Sequence, residues 1–386
     1  MVTPHELYAH FQSRFGGTPV ISRAPGRINL IGEHTDYNQG FVFPAAIQFS
    51  CWVAAAKRND RKLVLYSENF SESAEADLDI PGMLNTVSWS AYPVGVALAL
   101  EQAGYPLHGA NLYVSSDVPL GAGLSSSAAI EVSTARAHLE ISGHSLDRRE
   151  LALLCQRAEN DFVGARCGIM DQFISTQGIA GCALVLDCRS LEFQAIHLPQ
   201  DMHLVICNTR VKHENASGEY NARRSECETA VTQLAAVLPG VASLRDVTIS
   251  QLEQHRSRLT DIGYRRARHV ITENARVHKM AQALQTGQRS DLAQLMVDSH
   301  RSLRDDYEVS CPELDLMVEI ASRQRGLYGA RMTGGGFGGC TINLVKSADA
   351  PQFQRSVGAA YERETGLRPD IYICTASSGA EIIHVA

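Results

Sequence analysis

Pro119-Leu120-Gly121-Ala122-Gly123-Leu124-Ser125-Ser126-Ser127-Ala128-Ala129 is the stretch that decides how the chain is read. It follows a strand candidate, Ala110 to Val114, and precedes a helical pattern carrying Ile130, Val132, Ala135 and Leu139. Glycine lets a ligand approach the backbone because no Cβ stands in the way. The first N–H groups of a helix are unpaired and carry partial positive charge. Two glycines and three serines ahead of a helix therefore form an anion site suited to a polyphosphate, and one hydroxyl can ligate a divalent cation. The plainer reading is that Ser125 to Ser127 only cap the helix, although spare glycines serve a plain cap poorly. No Gly-Lys-Ser/Thr follows, so this is not a Walker A loop. His300-Arg301-Ser302 and Asp161-Phe162-Val163 do not match the protein-kinase triplets His-Arg-Asp and Asp-Phe-Gly.

Away from the loop, apolar and β-branched runs predict strands at Phe41 to Trp52, Leu63 to Tyr66, Leu184 to Leu186, Leu204 to Cys207, Cys340 to Val345 and Ile371 to Cys374. Leu151, Leu154, Cys155, Ala158 and Phe162 recur at helical spacing, with Ser145 as the expected N-cap. Ala275, Val277, Met280, Ala281 and Leu284 predict a second helix that ends near Gly287. Helices and strands mixed in this way indicate an α+β or α/β protein of two lobes. The division is expected at 180/181, giving lobes 1–180 and 181–386, because Asp187-Cys188-Arg189-Ser190 breaks the apolar pattern nearby.

Thr333-Gly334-Gly335-Gly336-Phe337-Gly338-Gly339-Cys340 contains Gly-x-Gly-x-x-Gly, yet a strand pattern follows it, and the dinucleotide fingerprint requires a helix there. A tight turn or an open backbone beside the ligands are the readings left. Ala24 to Tyr37 sets charge among glycines. Pro25-Gly26 reads as a turn presenting Arg27, and Glu33, His34 and Asp36 crowd one short segment. That spacing is no recognised zinc site. It suits a ligand rich in hydroxyls, against the plainer reading of a solvated loop. Asp171, in Gly168-Ile169-Met170-Asp171-Gln172, is either a base or electrostatic stabiliser or a helix N-cap. Glu159, at the rim of an apolar stripe, is either a Mg ligand or a surface residue.

The chain has 386 residues, 45% apolar and 20% charged, with formal charge -7. A negative balance argues against nucleic acid and anionic membranes as partners. The polar start, Met1-Val2-Thr3-Pro4-His5-Glu6, predicts no secretory signal, and no apolar run approaches the roughly 18 residues of a membrane helix. Ten scattered cysteines without a Cys-x-x-Cys pair read as reduced thiols, so a cytoplasmic location is expected.

Taken together these segments resemble the galactokinases, within the galactokinase, homoserine kinase, mevalonate kinase and phosphomevalonate kinase (GHMP) superfamily. Gly32 to Tyr37 is similar to the galactokinase signature, Gly121 to Ser127 to the superfamily's ATP loop, Met332 to Gly339 to its third motif, and Gly218-Glu219-Tyr220-Asn221 with Arg223-Arg224 to galactokinases. The resemblance implies a two-lobed α+β fold with the active site in the cleft, Mg2+ as cofactor, ATP as co-substrate, a sugar substrate and a monomer. It implies Asp171 and Arg27 as catalytic residues, and Glu33, His34, Thr35, Asp36 and Tyr220 on the sugar. It implies Ser67 and the loop Gly121, Ala122, Gly123, Leu124, Ser125, Ser126 and Ser127 on the nucleotide, with Ser127 and Glu159 on the metal. Catalytically dead galactose sensors of this family lose residues just after the serines. Ser127-Ala128 is intact here, and Ile130 in place of the common Leu is expected to lie on the packing side.

Overall fold

In this computed structural model, residues 2–80, 89–212 and 216–385 are described. Thr3 and Glu6 form a capping box that opens α1 (Pro4–Phe15). Five strands follow: β1 (Val20–Asn29), β2 (Phe41–Val42), β3 (Pro44–Lys57), β4 (Lys62–Ser67) and β5 (Glu72–Asp77). Next come α2 (Ala91–Gln102), β6 (Ala110–Ser116), α3 (Ser126–Ser142), α4 (Arg148–Ala158) and α5 (Met170–Gln177). Then β7 (Cys182–Asp187), β8 (Phe193–His197) and β9 (Met202–Lys212) lead into α6 (Ala216–Ala235), α7 (Ile249–Gln254), α8 (Asp261–Thr286), α9 (Ser290–Asp305) and α10 (Pro312–Ser322). The hairpin β10 (Leu327–Thr333) and β11 (Gly338–Lys346) precedes α11 (Ala350–Thr365), β12 (Asp370–Cys374) and β13 (Glu381–Ile383).

The strands form a six-stranded sheet, β13-β1-β3-β6-β4-β5, a four-stranded sheet, β10-β11-β9-β12, and a three-stranded sheet, β2-β7-β8. Successive strand side chains point to opposite faces. On one face of the large sheet Ile21, Ala54 and Tyr113 meet Leu7 and Phe11 of α1. Val53, Ala55 and Val114, on the other face, pack with Val132 and Ala135 of α3. Cover on both faces explains the continuous apolar run Val53-Ala54-Ala55-Ala56 of β3, whereas β4, nearer the edge, alternates buried and half-buried residues. α2 is buried from Ala91 to Leu100 and lies between α3 and α4, as an all-apolar helix must. One contiguous apolar cluster joins this sheet to residues of β9, β11, α8 and α9.

The predicted strands lie within strands, except that Phe41 to Trp52 spans β2 and β3 with Phe43 between them; the helix ending near Gly287 is α8, which stops at Gly287 with φ +73°. The hairpin after Thr333 confirms that a strand, and no helix, follows the second glycine cluster. We retain the division at 180/181 as a proposal; β1–β13 and β2–β7 pairings cross it. The expected cap Ser145 is corrected to Asp147, whose carboxylate accepts from the N–H groups of Arg149 and Glu150. Asp and Ser cap equally well, so the choice falls to where packing starts the helix.

A second correction matters more. Pro25-Gly26 is not a turn but the middle of β1, where the register with β3 shifts between Pro25 and Arg27. Proline inside a sheet is found at bulges, because it has no N–H for the ladder. The bulge brings β1 against the 119–125 loop: Arg27 N–H donates to Leu124 O at 3.0 Å. A Cβ on Gly26 would stand 2.6 Å from that same carbonyl and 3.0 Å from Val118 Cγ1. Since one neighbour is backbone, Gly26→Ala should lower the unfolding free energy by about 1–3 kcal/mol. An unchanged urea midpoint would show instead that the loop yields freely.

Candidate active site

The 119–125 loop is built from left-handed backbone: Gly121 (φ +63°), Gly123 (φ +73°) and the non-glycine Ser125 (φ +59°). Ala122 and Leu124 point into the core and anchor it. Ser125 occupies the N-cap position of α3 but makes no capping hydrogen bond. Its hydroxyl donates to Asp171 Oδ2 instead. The plain-cap reading therefore fails for Ser125. Ser126 and Ser127 line a cavity of about 480 Å3 with Ser67, Asn69, Trp89 and Tyr92. The rings of Phe70 and Trp89 face each other across 6.5 Å at 14°, an apolar wall for a flat heterocycle. Ile130 packs against the core, as expected, and also lines this cavity.

Ser127 is shared with a second cavity of about 460 Å3, lined by Arg27, Glu33, His34, Asp36, Gly123, Asp171, Tyr220 and Gly335 among others. Arg27 grips Asp171 through two hydrogen bonds, Nε to Oδ1 at 2.8 Å and Nη2 to Oδ2 at 2.6 Å. Its remaining nitrogen, Nη1, donates to Gly123 O. The Arg27 side chain is 7% exposed and that of Asp171 25%, so the acid faces the cavity while the cation stands behind it. Asp171 is no N-cap, because Ile169 holds that position of α5.

Glu33 is buried and held by four donors: Asn29 Nδ2 and Arg331 Nη2 on Oε2, Thr333 Oγ1 and Gly334 N–H on Oε1. Burial pulls Arg331 down to about 9, which still leaves it cationic beside Glu33 at neutral pH. His34 Nε2 lies 3.2 Å from Gly335 O, which only accepts, so Nε2 carries the proton and Nδ1 accepts from the Tyr37 hydroxyl at 2.8 Å. Burial, then His269, lowers His34 to about 3, so the ring is neutral. Thr35 is not brought to the cavity. Its hydroxyl donates to Gly32 O and Phe41 O and braces the turn. Asp36 is pushed up to about 6 by burial and by the charge of Asp171. Gly168 makes room for it, since a Cβ there would lie 1.9 Å from Asp36 Oδ2.

Glu159 begins a π-helical turn, residues 159–163, at the end of α4, the kind of local widening often found at functional sites. It is buried rather than on the surface. Its Oε2 accepts from Gln172 Nε2 at 2.6 Å and from the Cys167 thiol. Burial, then Asp171, raises its pKa, and the Cys167 thiol and the Ser127 hydroxyl pull it back. Glu131, fully buried, is raised well above the carboxylate range by burial and by Glu159. Glu131, Gln172, Cys167, Gly168, Asn221, Trp89 and Arg331 were not singled out from sequence. Gln172 and Gly168, beside Asp171, and Asn221, beside Tyr220 in the stretch similar to galactokinases, carried a positional hint.

A model of the galactokinase galactose-binding signature matches residues 9–57, that of the GHMP kinases N-terminal domain residues 91–178, and that of the GHMP kinases C-terminal residues 280–363. The Methanococcus jannaschii mevalonate kinase shares the fold at 19% identity, with TM-score 0.66 over 94% of this chain and 99% of that one. The fold and the cleft thus define a GHMP kinase. The galactokinase of Roseiflexus sp. (strain RS-1) is 45% identical over 98% of this chain and 97% of its own, and that of Actinobacillus succinogenes is 43% identical over 96% of each. The crystal structure of Lactococcus lactis galactokinase complexed with galactose superimposes with TM-score 0.94 at 36% identity, covering 98% of this chain and 99% of that one. This chain belongs to the galactokinase family.

Asp36 gives a prediction whose sign is fixed. Its folded pKa lies above the ordinary 3.8, so between about 4 and 6 the folded chain binds more protons than the unfolded one. Stability carried by this group is complete below about 4 and lost as pH rises through about 6. Relative to Asp36→Asn, the wild type should lose at most about 3 kcal/mol of urea-unfolding free energy across that window. A rising difference would contradict the raised pKa.

Proposed function

We propose that the chain transfers the terminal phosphoryl group of ATP to the C1 hydroxyl of D-galactose, giving α-D-galactose 1-phosphate and ADP. One observation carries this reading: Ser127 stands between two cavities, one lined by Ser126 and Ser127 at the start of α3 and the other by Gly123 and the Arg27–Asp171 pair. Phosphoryl transfer asks the protein for alignment and charge neutralisation more than for covalent chemistry. The nucleotide phosphates lie along Gly121 to Ser127, with the base toward Trp89 and Phe70 and Ser67 at the wall. The sugar occupies the other cavity against Asp36, Tyr220, His34 and Glu33. Glu33 enters as a fixed wall, because protein donors already surround its carboxylate.

Asp171 faces the C1 hydroxyl and orients its oxygen toward the phosphorus. Arg27 fixes the acid through its two hydrogen bonds and meets negative charge on the moving group. The Ser125 hydroxyl, on Asp171 Oδ2, fixes which oxygen points at the sugar. Glu159 is a buried carboxylate with no Lys or Arg partner among the described residues, next to the Ser127 hydroxyl. No group of three or more His, Cys, Asp or Glu among the described residues gathers for a metal. An all-oxygen pair of this kind fits Mg2+, which keeps waters and phosphate ligands and takes few from protein. Ser127 and Glu159 would hold it, and it would neutralise charge between the β and γ phosphates.

Both cavities are lined by one chain, so a monomer suffices for the reaction. The ten free thiols suit the reducing cytoplasm, where we place the enzyme. Among the described residues no helix is long and apolar enough to cross a membrane. An ADP-release assay with galactose, glucose, arabinose and N-acetylgalactosamine tests the reading: turnover with galactose supports it, turnover with another sugar alone reassigns the substrate, and silence with all four points to a sensor. Asp171→Asn should abolish turnover while calorimetric binding of ATP and galactose persists. Comparable loss of binding and fold would remove Asp171 from the reaction.

A further inference from the structure

Gln172 follows Asp171 on α5 and is fully buried. Its amide nitrogen lies 2.6 Å from Glu159 Oε2 and 3.0 Å from Glu131 Oε2. A carboxylate oxygen accepts, so the end of the amide that carries the hydrogens faces both acids. The two acids arrive from different helices. Glu131 lies on α3, four residues after Ser127 and on the same face, and Glu159 stands at the end of α4. The outer oxygens, Gln172 Oε1 and Glu131 Oε1, have no hydrogen-bond partner among the described residues. A buried polar atom left unpaired is costly, because it has given up water for nothing in return. Two of them side by side mark an arrangement that stability alone does not favour.

We infer that Gln172 is a positioning residue that holds Glu159 toward Ser127, with Glu131 as the fixed post at its other end. Glu159 otherwise has three rotatable side-chain bonds, with the weak Cys167 thiol at 3.4 Å and the Ser127 hydroxyl to orient it. Because Gln172 and Asp171 are consecutive, one backbone segment sets both the acid that faces the sugar and the clamp on the carboxylate that faces the cation. The separation between the two is therefore rigid. Glu131 touches neither cavity. The inference rests on Glu159 being the metal carboxylate.

Mn2+ binding to the ADP-loaded protein, read by electron paramagnetic resonance of the free ion, tests this without turnover, and galactose affinity by calorimetry reports the fold. Gln172→Met keeps the size and removes the donor. It should weaken Mn2+ about tenfold and leave galactose binding within about twofold, the scale seen when an outer partner of a ligating carboxylate is lost. Glu131→Leu, at the far end of the clamp, should shift Mn2+ in the same direction. Glu159→Gln separates the two ideas. If it weakens Mn2+ while Gln172→Met does not, the clamp is overturned and the metal reading stands. If Glu159→Gln leaves Mn2+ unchanged, the metal reading fails and takes the clamp with it. Equal loss of galactose and Mn2+ binding in both Gln172→Met and Glu131→Leu would make the pair purely structural and overturn the inference.

Discussion

The guanidinium of Arg27 is the joint on which the cleft is assembled. It is buried at a bulge of β1, and its three nitrogens reach the carboxylate of Asp171 and the carbonyl of Gly123, while its own N–H holds Leu124 O. Three segments far apart in the chain are thereby fixed around one charge: a central strand, the glycine-serine loop and the start of α5. A planar, permanently charged fork can do this because it donates in several fixed directions at once. In the reaction we propose, the same charge that organises the backbone also meets the transferring group, so folding and catalysis draw on one residue.

A second buried ion pair holds the opposite wall. Arg331 on β10 reaches Glu33, Leu30 O and Asn29 O, and Glu33 in turn fixes Thr333 and Gly334. Gly32 N–H and the Ser299 hydroxyl both donate to Glu273 on α8. The first charged motif and the second glycine cluster, 300 residues apart, are thus one rigid body. Buried pairs of this sort add little net stability, but removing either partner strands the other in a low dielectric. They define position more than they stabilise, which suits a wall that must hold sugar hydroxyls in place.

Charge is distributed unevenly across the cleft. The charge of Asp171 helps to raise the pKa values of Asp36, Glu159 and Glu131, and Arg27 is the cation paired with Asp171. In the proposed reaction, a divalent cation on the side of Glu159 balances that charge; burial and the neighbouring His269, not the carboxylates, keep the imidazole of His34 neutral.

Much of the fold and cleft was legible in sequence. Local spacing determined the strands at 63–66, 110–114 and 340–345, the helix ending at Gly287, and the strand-loop-helix order around Gly121 to Ser127, because period, glycine and capping act over a few residues. Resemblance in the motifs pointed to Arg27, Glu33, Asp36, Asp171 and Tyr220, and the structure gathers them around one cavity. What tertiary structure alone decided is who touches whom. Pro25-Gly26 looks like a turn until Leu124 O is seen against Gly26, and Ser125 looks like a cap until Asp171 takes its hydroxyl. Thr35 sits inside the signature yet turns to the backbone. Glu131 and Gln172 read as ordinary helix residues, and only the crossing of α3, α4 and α5 buries them together. Those contacts join residues tens to hundreds of positions apart, and burial, which sets their energies, is a property of the packed chain and not of any short segment of it.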